Sequence, residues 1–472
     1  MNLNAIQRHA MRRVREIFFV GIGGVGMSAI AEVLLTLGYR VSGSDLKESA
    51  TTRRLAEKGA QIFLGHRAEN LATASIVVSS SAINKDNPEL VAARQRHIPI
   101  IHRAEMLAEI MRFRCGIAIA GTHGKTTTTS LTTSVLASLD PSFIIGGILT
   151  AAGSNGRLGS GQYLVAEADE SDASFLHLQP LLAVVTNIDE DHLENYGGSF
   201  QQLKQGFVNF LHNLPFYGLA VLCIDDEGVR DIIDQVARPI KTYGFSIEAD
   251  LRADNVRQVG LTMHFDLVKG EERFPLVLNM PGKHNVLNAL AALAIGEELA
   301  IPLETMAAAL ANFKGVGRRF TSHGQIKHAN GTADIFEDYG HHPNEIRAVL
   351  AAVREGFAGR RIVAVFQPHR YSRTRDLFDS FVQILGSADA LALTEVYPAG
   401  EAPIEGADSR ALARALQESH PEGGEPLYCE NIAALPHALL GFLQDGDVLL
   451  AMGAGSISKT AQALVDLTAK TA

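Results

Sequence analysis

One stretch limits what this chain can be more than any other: Ile117-Ala-Ile-Ala-Gly-Thr-His-Gly-Lys-Thr-Thr-Thr-Thr129. An apolar, β-branched run ends at Ala120, a glycine turn follows, and Lys125-Thr126 open a segment compatible with a helix. A strand that feeds a glycine loop and then Lys-Thr is the arrangement that holds a nucleoside triphosphate. Glycines let backbone N–H groups approach the phosphates, lysine reaches the β/γ oxygens, and a threonine hydroxyl can ligate Mg²⁺. The common phosphate loop spaces its glycines more widely. Here Gly121 and Gly124 enclose only Thr122 and His123, and Ile119 stands where the distant glycine would be. The loop is therefore a shortened variant.

The chain around it is too long, at 472 residues, for one ordinary core, so several domains are expected. A hydrophobic content of 46% with 20% charged residues fits a globular protein. The net charge of −10 and the lack of a long basic block argue against nucleic acid as the partner. Cys115, Cys223 and Cys429 are far apart, which suits a reducing compartment and gives no zinc signature. Met1 to Arg15 carries basic residues without the apolar run of a signal peptide, and no stretch reaches membrane-spanning length. A cytoplasmic protein without a membrane partner is expected.

Near the N-terminus, Ile17-Phe-Phe-Val20 reads as a buried strand that runs into Gly21-Ile-Gly-Gly-Val-Gly26 and then a helical apolar pattern from Met27 to Leu35. This is a G-x-G-x-x-G turn in its strand-to-helix setting. A second strand ends at Asp45, where an acidic residue would bind a ribose. Further parallel-sheet strands are expected at Ile76–Ser79 and Ile98–Ile101. Taken alone, the turn is compatible with a nicotinamide cofactor, with tight packing and no ligand, or with the diphosphate of a nucleotide sugar.

Downstream of Lys125, two expected strands end in acidic runs. Tyr163–Ala166 leads to Glu167-Ala-Asp-Glu-Ser-Asp172, and Leu182–Ile188 leads to Asp189-Glu-Asp-His192. Carboxylates gathered at a strand end are costly unless a cation or solvent compensates. If both strands deliver to the sheet edge of the phosphate loop, Glu167 and His192 make a metal site of the sparse kind Mg²⁺ accepts. The connection from Gly147 to Tyr163 is rich in Gly, Ser and Asn, and residues 250–279 read as an appended antiparallel hairpin. Asn285 and Asn288 share one face near the start of an alanine-rich helix, suited to a purine, a phosphate or simply a cap. Gly315, Gly317, Arg318 and Arg319 suggest a linker that could bring an arginine onto a phosphoryl group, or plain surface charge.

Beyond the linker the pattern is again α/β. A strand ends at Asp338-Tyr339-Gly-His341-His342-Pro343, with Pro343 suited to a first helical turn. His341 and His342 lack a third metal ligand at sensible spacing. The buried strand Arg361–Phe366 leads to Gln367-Pro-His-Arg370-Tyr-Ser-Arg373, a cation cluster fit for a small carboxylate or for a surface turn. The fold class expected is α/β in three domains: a Rossmann-like domain at 1–112, a central ATPase-like phosphate-loop domain at 113–318, and a Rossmann-like C-terminal domain at 319–472.

In order, these motifs resemble the Mur ligases of peptidoglycan synthesis, from about Val14 to the C-terminus; His284-Asn-Val-Leu-Asn288 is one of the carrying segments. What the resemblance implies is ATP-dependent ligation of L-alanine to UDP-N-acetylmuramate through an acyl phosphate. It implies that the first glycine turn holds UDP rather than a nicotinamide, with contacts at Gly24, Gly26, Asp45, His66, Ser80 and Ser81. ATP would lie on Gly121, Thr122, His123, Gly124, Lys125, Thr126 and Thr127, with Asn288, Arg319 and Asp338. A Mg²⁺ ion, or Mn²⁺ in its place, would be held by Thr126, Glu167 and His192. Tyr339, His341, Arg370 and Arg373 would form the amino-acid end, and Lys125, His192, Arg370 and Arg373 would carry the catalysis. A monomer or weak homodimer is expected. Several relatives carry a carbamylated lysine on the helix after the Asp-His motif; here Lys204 precedes Gly206-Phe207 at that place, and no carbamate is assigned. The alternatives are a recycling ligase that adds an intact tripeptide, disfavoured by the Gln367–Tyr371 segment, an NAD-dependent oxidoreductase, and an ATP-switched binding protein without catalysis.

Overall fold

The structure is a computed structural model and describes residues 11, 13–420 and 424–469. Most of the N-terminal stretch read above for a leader lies outside the described residues. The chain divides into two compact units, residues 1–255, 265–277 and 285–314 in one and 256–264, 278–284 and 315–472 in the other.

In the first unit, short apolar runs make a parallel sheet of β1 (Glu16–Val20), β2 (Arg40–Asp45), β3 (Gln61–Leu64), β4 (Ile76–Ser79) and β5 (Ile100–His102). Its order is β3-β2-β1-β4-β5. The order reverses beside β1, so the glycine turn that follows β1 opens at the crevice where such sheets bind ligands.

The second sheet has ten strands: β6 (Cys115–Ala120), β7 (Ser142–Leu149), β8 (Ser154–Arg157), β9 (Tyr163–Glu167), β10 (Leu182–Val185), β11 (Leu219–Cys223), β12 (Ile240–Gly244), β13 (Leu251–Val259), β14 (Thr262–Lys269) and β15 (Glu272–Leu278). Both β9 and β10 flank β6 in parallel. The ends of the two acidic strands therefore meet the phosphate loop at one sheet edge. Residues 250–279, expected as an appended antiparallel hairpin, supply the strands β13 to β15 at the end of this sheet, joined to it through β13, which pairs in parallel with β12.

The Gly/Ser/Asn-rich connection contains a strand that its polar sequence hides. β8 pairs with β7 and lies on the helix Val25–Thr36 of the first sheet. Ser154 Oγ donates to Glu32 at 3.0 Å, and Asn155 Nδ2 donates to the Val25 carbonyl at 2.7 Å. Arg54 donates to Asn155 Oδ1 at 2.9 Å. A Cβ on Gly156 would come within 2.6 Å of the Ala29 carbonyl oxygen, so only glycine allows this approach.

One apolar cluster runs through both sheets, from Ile17 and Phe19 to Phe207 and Ile232. At its centre, the Phe175 ring meets Phe207 edge-on at 5.2 Å and stacks on Phe210 at 5.0 Å. Phe207→Ala should destabilise the protein by about 3–5 kcal/mol through lost burial and the cavity left behind. The measurement is a lower urea midpoint at unchanged slope.

The second unit holds β16 (Thr321–His328), β17 (Gly331–Asp338), β18 (Ile362–Phe366), β19 (Ala390–Thr394), β20 (Leu427–Cys429) and β21 (Asp447–Met452), in the order β16-β17-β21-β18-β19-β20. All neighbours are parallel except β16 and β17. Alternation along β18 sends Ile362, Ala364 and Phe366 into one apolar cluster and Val363 and Val365 into another, as a sheet covered on both faces requires. The α/β class and Rossmann-like parallel sheets expected from the sequence are what the structure shows. Among the described residues no helix is long and apolar enough to cross a membrane.

Candidate active site

The shortened loop leaves β6 at Gly121, where φ is +128° and a Cβ would lie 2.0 Å from Thr186 Oγ1. It re-enters a helix, Lys125–Val135, at Gly124, where φ is +82° and a Cβ would lie 2.6 Å from Asn288 Oδ1. Both positions therefore need glycine. The segment after β10 backs the loop. Asn187 Oδ1 accepts from the His123 N–H at 2.8 Å, while Asn187 Nδ2 and Thr186 Oγ1 donate to the His123 carbonyl at 3.0 and 2.6 Å. Thr122 Oγ1 accepts from the Asp189 N–H at 2.9 Å, and His123 Nε2 lies 3.0 Å from Asp189 Oδ2. Thr186 and Asn187 lay inside a motif read for its carboxylates; their work is to shape the loop.

The helix that follows is threonine-rich and has little intrinsic propensity. Thr129, Ser130, Thr133 and Ser134 each donate to the carbonyl four residues earlier, at 2.8 to 2.9 Å, which satisfies the hydroxyls, the first three of them on buried residues. Thr126 and Thr127 are buried in its first turn. Asn288 docks on this helix: its Oδ1 accepts from the Thr128 hydroxyl at 3.0 Å and its Nδ2 donates to Asn285 at 3.1 Å.

Lys125 is folded onto its own loop. Its Nζ donates to the carbonyls of Gly121 at 2.7 Å and Thr122 at 3.1 Å, and to both Glu170 carboxylate oxygens at 2.9 and 2.7 Å. Burial works against the ammonium, but the Glu170 and Asp169 charges outweigh it and hold the lysine pKa above its ordinary value. Burial pushes the Glu170 carboxyl up. Asp169 is buried too, yet Lys125, Arg103 and bonds from Ser171 bring it down to about 2. The Tyr196 hydroxyl donates to the Glu170 carbonyl at 2.6 Å and fixes this corner. The sequence marked the acidic run but not that Glu170 is the lysine's partner.

Glu167 ends β9 and accepts from the Gly146 N–H at 2.7 Å. His192 sits at φ +58°, with Nε2 3.4 Å from Asp191. A non-glycine residue in that region is costly and recurs at functional sites. Thr126, Glu167 and His192 supply a hydroxyl, a carboxylate and an imidazole at one sheet edge. That set fits Mg²⁺, which keeps waters and takes phosphate oxygens instead of demanding a protein cage. The Lys204 ammonium is taken by Asp231 at 3.0 Å and lies over the Phe200 ring.

At the first glycine turn, Asp45 Oδ2 accepts from the Gly23 N–H at 2.9 Å. His66 Nδ1 lies 2.9 Å from Ser44 Oγ and 3.0 Å from Glu89 Oε2. Glu89 is fully buried and also accepts from Asn70 at 2.7 Å, so it orients the His66 ring. As a glutamate in a first helical turn it reads from sequence only as a charge suited to that end. Ser80 is half-buried, and Ser81, exposed, donates to Asp172 at 3.0 Å.

In the second unit, the Tyr339 ring meets the guanidinium groups of Arg318 at 4.6 Å and Arg319 at 4.9 Å. Arg319 lies 3.9 Å from Glu345. Asp338 accepts from the Phe320 and Gly340 N–H groups at 2.8 and 2.7 Å, and burial raises it to about 6. The His342 ring accepts from the Asn344 N–H at 3.4 Å and caps the helix Pro343–Gly356. His341 packs edge-on against Tyr339 and His369. Arg370 has φ +70° at the start of the helix Tyr371–Asp376, and Arg373 is buried one turn on. The amino-acid cluster expected from sequence is thus gathered in one unit.

Burial lowers His341 to about 3 and His284 and His369 to about 4. Unfolded, each takes its proton near about 6.5. Below that pH the unfolded chain binds protons that the folded one refuses, so stability falls. Asp338 and Glu170, both raised, take protons earlier in the folded state and offset part of the loss as pH falls. The thermal midpoint should therefore drop between about pH 6.5 and pH 4.5, read by calorimetry.

Three family profiles match in sequence: the Mur ligase family catalytic domain over residues 16–114, the Mur ligase middle domain over 119–296, and the Mur ligase glutamate ligase domain over 318–455. UDP-N-acetylmuramate–L-alanine ligase of Dichelobacter nodosus is 63% identical over 100% of this chain and 99% of its own length. The enzyme of that name from Neisseria gonorrhoeae is 57% identical over 97% of this chain and 98% of its own. Among solved structures, UDP-N-acetylmuramate-alanine ligase from Thermotoga maritima superposes with a TM-score of 0.83 at 31% identity, covering 97% of this chain and 100% of that one. With a backed phosphate loop between two acidic strand ends, and with relatives matched from end to end, the chain belongs to the Mur ligase family.

Proposed function

We propose that this chain joins L-alanine to UDP-N-acetylmuramate with ATP, as an ATP-dependent acid–amino-acid ligase of peptidoglycan synthesis working in the cytoplasm as a monomer or weak homodimer. The observation that carries the reading is the 63% identity over the whole chain to a ligase of that activity. The muramyl lactate carboxylate attacks the γ-phosphorus, the bond to ADP breaks, and an acyl phosphate forms. The alanine amine then attacks the acyl carbon, and the tetrahedral intermediate expels phosphate to leave UDP-N-acetylmuramoyl-L-alanine.

Each module has a part in this reaction. In the domain at 1–112, Gly24, Gly26, Asp45, His66, Ser80 and Ser81 hold the UDP sugar. In the domain at 113–318, the loop from Gly121 to Thr127 takes the ATP phosphates, and Lys125, kept charged by Glu170, offsets negative charge during transfer. Thr126, Glu167 and His192 would hold Mg²⁺ or Mn²⁺, which when bound neutralises phosphate charge. Asn288, Arg319 and Asp338 serve the nucleotide. In the domain at 319–472, Tyr339, His341, Arg370 and Arg373 receive the alanine carboxylate, which an arginine fork can bind bidentately.

The test is phosphate release with UDP-N-acetylmuramate, ATP, Mg²⁺ and each amino acid in turn. L-alanine should support turnover well above glycine or L-serine. Turnover with an intact tripeptide and none with alanine would instead mark a recycling ligase.

A further inference from the structure

The helix Val25–Thr36 begins at Gly24, which is extended and makes no side-chain cap. The N–H groups of its first turn therefore have neither an intrahelical acceptor nor a cap, the condition in which a helix terminus takes an anion. Val25, within the turn, is 52% exposed, so its outer side is open. On its inner side lies Arg103, the first residue of the helix after β5. A Cβ on Gly26 would sit 3.4 Å from Arg103 Nη1 and 3.9 Å from Cζ, so the guanidinium rests against the glycine turn itself.

That guanidinium is held from the second sheet. Arg103 Nη2 donates to Asp169 Oδ2 at 2.6 Å and lies 3.8 Å from Asp172. Ser81 Oγ donates to Asp172 at 3.0 Å, and His102 Nε2 lies 3.5 Å from it. The strand ends β4 and β5 thus reach one acidic segment, and the arginine is only 21% exposed. A guanidinium has several N–H donors in a rigid fork, so it can keep Asp169 and hold a phosphate oxygen as well.

We propose that Arg103 binds the diphosphate of the nucleotide sugar, aimed at the glycine turn by Asp169 of the central domain. This rests on the nucleotide-sugar reading of the turn given above. It adds a side chain that neither the glycine pattern nor the acidic motif reveals, because the arginine belongs to a third segment. It also gives Asp169 a role apart from any metal: it bridges the sugar-nucleotide turn and the Lys125 corner.

The experiment titrates full-length protein with UDP and with uridine, which lacks the diphosphate, by calorimetry. Arg103→Met should weaken UDP by about 30-fold, the loss of a charge-assisted bond, and leave uridine unchanged. Arg103→Lys, which keeps the charge without the fork, should weaken UDP less and again spare uridine. Asp169→Asn should weaken UDP by about 5-fold through a less fixed arginine. Equal UDP affinity in Arg103→Met and native protein overturns the proposal, as does a parallel loss of UDP and uridine. If Arg103→Met does not fold, the UDP-to-uridine ratio of Arg103→Lys decides. Native protein that binds no UDP would remove the nucleotide-sugar reading itself, a result distinct from either.

Discussion

Lys125→Ala lowers ADP and phosphate release by about a thousand-fold or more, because the loop loses the one charge placed to meet the transferring phosphoryl group. The native ammonium makes four short bonds, two to its own loop and two to Glu170. To reach a phosphate it would exchange part of that set, and Glu170, whose charge holds the lysine pKa up, is among the partners it would leave. UDP binding should persist, since the Gly23–Asp45 and His66–Glu89 contacts are made without the lysine. Removing one member of a buried pair also destabilises by roughly 3–5 kcal/mol, because the other charge is left in a dry site. The two effects separate in Lys125→Met/Glu170→Gln, which removes both charges. It should recover much of the unfolding midpoint and none of the turnover. Near-normal ADP release by Lys125→Ala would remove the phosphate-loop assignment altogether.

That pairing shows where the sequence stopped being legible. The strands of apolar runs were readable: β6, β9, β10 and β18 all fall where those runs predict them. The meeting of both acidic strand ends with the phosphate loop was also predictable, as a consequence of parallel order. Polar strands were hidden. β16 lies mostly exposed at a sheet edge, while β8, Ser-Asn-Gly-Arg, is buried and bonds its polar side chains to the helix Val25–Thr36. Side-chain partners over long separations were hidden as well. Glu170 meets Lys125 across 45 residues, and Glu89 meets His66 across 23, and no spacing rule connects them. The resemblance to a family supplied site residues where the motif was local. It gave no role to Thr186, Asn187 or Glu89, whose work is to hold other residues in place, nor to Arg103, which stands outside those motifs.

Gly121→Ala should be nearly as damaging as loss of the lysine, and for a reason that lies in the backbone. A methyl there meets Thr186 Oγ1 at 2.0 Å, which a smaller residue at 186 would relieve. It also meets the backbone nitrogens of Thr186 at 3.0 Å and Asn187 at 3.1 Å, which no substitution removes, and φ of +128° lies where L side chains are strained. The loop has no slack to absorb the shift, because Thr186 and Asn187 also bind the His123 carbonyl. Gly121→Ala is therefore expected to lose about 3 kcal/mol of stability and about a hundred-fold in ATP turnover. Thr186→Ala alone should lose only about 1 kcal/mol, the worth of its hydroxyl bonds. The double variant should recover part of the Gly121→Ala loss yet stay well below Thr186→Ala, because the backbone contacts and the strained φ remain. Urea melts of the three variants decide the matter: a double variant restored to the stability of Thr186→Ala would mean that the threonine hydroxyl, and not the backbone, fixes glycine at this turn. The shortened spacing follows from the same contacts. A loop with more glycines can wrap phosphates unaided, whereas this one is pinned to the strand-end segment beside it, and its two glycines mark where that segment and Asn288 come too close for any side chain.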